Sequence, residues 1–113
     1  MVDKMKFDHL SVPVADPVAV AEWFRKLFCA DVLFESDEWV FLRTNGTKIA
    51  FVNENLHPAH FAMVIEDNEA FCALACDFDA LISTEREDTL SFYITGPEGV
   101  CIELVHYLES FDV

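Results

Sequence analysis

Positive charge is scarce in this sequence: its 113 residues hold 7 lysines and arginines against 21 aspartates and glutamates, a formal net charge of −14. Such a surface repels phosphate, which argues against nucleic acid and anionic membranes as partners. It leaves open a solvated acidic face or a cationic ligand. Long apolar runs are missing too. None reaches the roughly 18 residues that a membrane-crossing helix needs, and the charged start over residues 1–7 leads into no signal-like apolar segment. A soluble cytoplasmic protein is expected. The four cysteines (Cys29, Cys72, Cys76, Cys101) lack the paired short spacing of a zinc ribbon and fall in apolar segments, so free, buried thiols are expected. Cys72 and Cys76, spaced i, i+4, are expected to pack into a helix core.

Apolar side chains are plentiful, at 53% of the chain with 11 phenylalanines, enough for one domain with a real core. Residues 7–14 (FDHLSVPV) have strand character, and Asp16-Pro17 then offers an N-cap followed by a proline suited to a first helical turn. Val18, Ala21, Trp23, Phe24, Leu27 and Phe28 recur at near-helical spacing through about Cys29. Strands are predicted over 31–34, 39–43 and 48–52, the last two joined through Asn45-Gly46, a strong hairpin signal. The order then starts again. A strand over 60–65 is followed by a helix opened by Asp67 and carrying Ala70, Phe71, Leu74, Ala75 and Phe78 on its apolar side. After it come a weaker strand over 80–84 and stronger ones over 90–95 and 100–107, turning through Gly96-Pro97-Glu98-Gly99.

The two halves match residue by residue. His9 falls on His60 and Asp16 on Asp67 at an offset of 51, while Gly46, Ile49 and Val52 fall on Gly99, Ile102 and Val105 at an offset of 53. One β-α-β-β-β unit leaves a sheet face uncovered, which a second unit can cover. The repeat thus predicts a single α+β domain over 1–113, with units at about 7–53 and 58–107.

Successive strand residues point to opposite faces. Leu10, Val12 and Val14 share one face of the first strand, and His9 and Ser11 the other; Ile102 and Leu104 oppose Glu103, Val105 and Tyr107. The bulky face is expected on the helices and the other to carry small side chains with His9, His60 and Glu103. Singly, each histidine reads more readily as an ordinary polar residue of a strand start. Together, two imidazoles and a carboxylate at corresponding positions are a donor set for one divalent metal, iron, manganese or zinc. A carboxylate set among apolar neighbours is costly unless a positive group pairs with it, and a cation would serve.

With its paired units, the opening His9-Leu10-Ser11-Val12, the His60 strand and the closing Gly96-Pro97-Glu98-Gly99-Val100-Cys101-Ile102-Glu103-Leu104-Val105, the sequence resembles the vicinal oxygen chelate superfamily. That group includes glyoxalases, extradiol dioxygenases, fosfomycin-resistance transferases and bleomycin-resistance proteins. The resemblance implies that the two units form an open, half-barrel-like mixed sheet with a cleft, and that His9, His60 and Glu103 ligate a metal in it. It also implies a small organic substrate bound through neighbouring oxygens, and a homodimer. Ala50 departs from the glyoxalase pattern, which has a fourth, proton-moving ligand there; alanine neither ligates nor moves a proton. A dioxygenase- or transferase-like enzyme is therefore expected rather than a glyoxalase. The alternative is a non-catalytic protein that sequesters a cationic drug. Lys48 and Ser11 are candidate substrate contacts, and Tyr107, on Glu103's face, is a candidate contact or proton donor beside the plainer reading of a structural tyrosine.

Overall fold

The computed structural model describes residues 5–56, 58–84 and 88–108. Among these described residues seven strands and two α-helices make an α+β fold, and the chain divides into two compact units, residues 9–60 and the residues on either side of them.

In the first unit the strands lie in the order β2 (Asp31–Glu35), β3 (Trp39–Thr44), β4 (Thr47–Asn53), β1 (Met5–Val14), with β1 parallel to β4 and the rest antiparallel. Helix α1 (Pro17–Phe28) starts where the Asp16 carboxylate accepts the Ala19 N–H at 3.1 Å and proline occupies the first turn. It ends at Cys29, whose left-handed backbone (φ 51°) lets its N–H reach the Arg25 carbonyl at 3.0 Å. Ala21 on the helix packs with Ala30, Val40, Leu42 and Phe51, and Phe24 stands edge-on to Phe51 at 5.5 Å. The β3–β4 turn has φ of 49° at Asn45 and 79° at Gly46, the backbone a two-residue hairpin of this hand requires.

The other unit repeats the plan with β5 (His60–Ile65, of which His60 itself closes the first unit), α2 (Asn68–Asp77), β6 (Thr89–Thr95) and β7 (Cys101–Tyr107), in which β7 lies between β5 and β6. Asp67 caps α2 by accepting the Glu69 N–H at 3.1 Å. Phe71, Ala75, Ile65, Phe92 and Leu104 form the core. The registers of the two units agree pair for pair. Leu10↔Ile49, Ser11↔Ala50 and Val12↔Phe51 in one are Phe61↔Ile102, Ala62↔Glu103 and Met63↔Leu104 in the other. Across the hairpins, Phe41↔Ala50 corresponds to Tyr93↔Glu103.

Three expectations change. Residues 80–84 form no strand; one antiparallel bridge, Ser83↔Ser91, stands there. Leu81, 93% exposed, finds no core to enter, so the apolar alternation that holds a strand down is absent. The sheet face away from α1 is aromatic rather than small: Trp39 and Phe41 pack there with Ala50 and Val52. Cys29, Cys72 and Cys76 are exposed and Cys101 half-buried, none in a disulfide. Phe71 and Ala75 face the α2 core, which turns Cys72 and Cys76 outward.

Candidate metal centre

His9 and His60 come together within one unit. Their ring centroids lie 6.1 Å apart at 74°, and both side chains are buried. His60 opens β5, and its Nδ1 lies 3.0 Å from the Pro58 carbonyl oxygen. A carbonyl can only accept, so Nδ1 carries the hydrogen and, in the neutral ring, the lone pair sits on Nε2. That tautomer is the one a histidine needs to ligate through Nε2, with its orientation held by a backbone oxygen. His9 stands edge-on to Phe41 at 5.2 Å.

The candidate substrate contacts Ser11 and Lys48 belong to this unit and to the His9 face of its sheet, since His9 pairs with Lys48 and Ser11 with Ala50. Both are buried, and the Lys48 ammonium lies 5.5 Å from the Phe41 ring centre. A cation over an aromatic face recovers part of the solvation lost on burial. Ala50, 2% exposed, packs with Phe41, Val52 and Trp39, and its methyl group offers no donor atom.

Phe34, Trp39 and Phe41 extend the histidine pair into a run of rings. Phe34 stacks on Trp39 at 4.5 Å and 28°, and Trp39 meets Phe41 at 5.7 Å. Reading alternate residues along each strand separately could have placed Trp39 and Phe41 on the His9 face. Phe34 was beyond that approach, because a register shift between Val32 and Phe34 changes its side.

Glu103 and Tyr107 lie in the other unit and share a face of β7. Glu103, half-buried, pairs with Ala62 on one side and Tyr93 on the other. Tyr93 escaped the sequence reading: counting back equally from Gly96–Gly99 sets it opposite Ile102, and the ladder that starts at Thr95↔Cys101 moves it one residue on, to Glu103. The Tyr107 hydroxyl donates to Asp8 Oδ1 at 2.9 Å, and Asp8 is buried. No sequence signal joins residues so far apart. Cys101, two residues before Glu103, has its thiol pushed above the ordinary range by burial and, secondarily, by the charge of Glu103. His106 points to the helix side, its Nδ1 2.9 Å from the Ile65 carbonyl and its ring 5.6 Å from Phe71.

The first unit offers two imidazoles, that of His60 with its tautomer set by Pro58, and the other unit offers a carboxylate; each is a donor suited to a hard or borderline divalent cation. No cysteine joins them, which disfavours a thiolate-rich site.

No protein-family model matches the sequence, and no curated protein matches it. Solved structures do match in shape. Methylmalonyl-CoA epimerase from Mycobacterium tuberculosis superposes with a TM-score of 0.67 over 91% of this chain and 88% of its own, at 18% identity. A glyoxalase/bleomycin resistance protein/dioxygenase superfamily member from Vibrio splendidus 12B01 gives 0.68 over 93% and 100%, at 14% identity. A methylmalonyl-CoA epimerase in complex with methylmalonyl-CoA and ammonium gives 0.65 over 94% and 96%, at 15% identity. Identities this low speak for the fold.

Proposed function

This chain has the vicinal oxygen chelate fold, and on that premise we propose that it is a divalent-metal-dependent enzyme acting on a small organic substrate, with His9, His60 and Glu103 as the metal ligands. The observation that carries the reading is the buried histidine pair, with the His60 tautomer fixed by Pro58. Glu103 is its carboxylate because β7 presents it at the position repeat-equivalent to Ala50, on the face away from the α2 core. A bound cation would serve as a Lewis acid, drawing negative charge onto chelated substrate oxygens. Around it this chain's residues bind and orient: Ser11 and Lys48 contact substrate, and Tyr93 flanks the Glu103 carboxylate. Tyr107 presents a phenol already engaged by Asp8, so it orients substrate more readily than it gives up its proton.

Ala50 directs the reading toward dioxygenase- or transferase-type chemistry and away from glyoxalase-type isomerisation. Iron, manganese and zinc all suit the donor set. A homodimer and a cytoplasmic setting complete the reading, and sedimentation equilibrium tests the former. A second reading, a non-catalytic protein that sequesters a cationic drug, is favoured by the net charge of −14. Metal content separates the two. Protein purified without chelators, assayed by elemental analysis beside His60→Ala, is expected to carry near-stoichiometric metal that the substitution removes. A parent protein that holds no metal and cannot be loaded contradicts the metalloenzyme reading and leaves the sequestering one.

A further inference from the structure

The geometry points to a ring-stacking subsite: resting on the reading that the histidine face is the working face, we propose that Phe34 and Trp39 bind the flat, uncharged, conjugated part of the ligand. Two observations carry this beyond the metal ligands. The first is the bulge in β2. Val32 pairs with Leu42, Leu33 is skipped, and Phe34 pairs with Phe41. With unbroken alternation Phe34 would pair with Val40 and point at the α1 core; the extra residue turns it onto the His9 face instead. Bulges interrupt the hydrogen-bond ladder and recur beside sites where a side chain must be re-aimed.

The second is that the fold does not require rings there. Trp39 pairs with Val52, and the equivalent position in the other unit, opposite Val105, is Ser91. One unit closes with serine where the other spends a tryptophan and stacks a 45%-exposed phenylalanine upon it. From that stack the rings continue inward through Phe41 and His9 to His60. The stack is near-parallel, at 28°, at its outer end, so ring faces rather than edges are offered to a ligand. A flat ring gains face-to-face contact there that an alkyl chain of equal size does not, and the negative π-faces disfavour an anion.

The test uses 2-naphthol as probe and trans-2-decalol, its saturated counterpart, as control. In a two-dimensional ¹H–¹⁵N spectrum the two tryptophans give two indole N–H signals, assigned with Trp23→Phe. The proposal expects 2-naphthol to shift the Trp39 signal saturably and leave Trp23 in place. Decalol is expected to bind about 5-fold more weakly or worse, and Phe34→Leu and Trp39→Leu each to weaken naphthol by roughly 2- to 10-fold. Backbone dispersion reports folding, and Phe34→Leu, altering an exposed side chain, decides if Trp39→Leu does not fold. Equal binding of naphthol and decalol, parent-like affinity in folded Phe34→Leu, or movement of the Trp23 signal instead would overturn the subsite. Trp23→Phe, which alters an exposed side chain on α1, is expected to bind naphthol within about 2-fold of the parent. Protein that stacks naphthol through Phe34 but holds no metal and cannot be loaded refutes only the metal reading, and metal-loaded protein that ignores naphthol refutes only the subsite.

Discussion

Ala50 and Glu103 hold the same place in two copies of one register, and the difference between a methyl group and a carboxylate there sets the chemistry available. With Ala50 enclosed by Phe41, Val52 and Trp39, the methylglyoxal–glutathione adduct is expected not to be isomerised, whether zinc, nickel or iron is supplied. Turnover at about 1 per second or faster would contradict that use of Ala50. Glu103→Gln keeps shape and removes charge, so it is expected to abolish most of the metal-dependent rise in melting temperature. In the parent that rise corresponds to about 3 kcal/mol at a hundredfold excess of metal over its dissociation constant. Equal metal responses in the two proteins would exclude Glu103 as a ligand. The thiols offer a separate check. Burial, and secondarily Glu103, push the Cys101 thiol up, and its side chain is less exposed than the others, so alkylation at pH 8 followed by mass spectrometry is expected to modify Cys29, Cys72 and Cys76 before Cys101. Cys101 reacting first would mean its surroundings are misread. Residues such as His9 and His60 were legible because the repeat set them in register. The partnership of Tyr107 with Asp8 was not, because a hydrogen bond spanning 99 positions leaves no local pattern.

Elements were legible where local chemistry dictates backbone. Both helix caps follow from aspartates that accept an N–H two or three residues on, and the β3–β4 hairpin follows from Asn45-Gly46. Residues 80–84 misled because Ala80 packs against the α2 core while Leu81 stands in solvent and only Ser83 bridges to β6, a fact of packing that composition does not carry. The β2 bulge was hidden for a related reason: alternation assumes an unbroken ladder, and only the pairing with β3 reveals the skipped residue. Gly46 tests the hairpin. Its φ of +79° is open to glycine and strained for alanine, although nothing lies within 4 Å of an added Cβ. Gly46→Ala is therefore expected to cost about 1 kcal/mol in urea unfolding through backbone strain alone. A neutral or stabilising result would mean the turn relaxes to another type.

For the whole molecule, a net charge of −14 on 113 residues is a standing self-repulsion that opposes the compact state. Sodium chloride screens it, the Debye length falling from about 10 Å at 0.1 M to about 3 Å at 1 M. Metal-free protein is expected to melt a few degrees higher at 0.5 M than at 0.05 M salt, and a lower melting temperature would mean that favourable ion pairs outweigh repulsion. Among the described residues no helix is long and apolar enough to cross a membrane. Fold class followed from the order and period of apolar segments; the reaction did not, because a fold hosts many chemistries and only the groups at the site choose between them. The claim on which everything else depends is that one cation is shared by His9, His60 and Glu103. Anomalous diffraction from crystals grown with manganese or zinc measures it most directly. The account predicts one strong anomalous peak per chain within about 2.0–2.3 Å of a nitrogen of each histidine and an oxygen of Glu103. A metal-loaded crystal with no peak there, or with its peak on other residues, would contradict it.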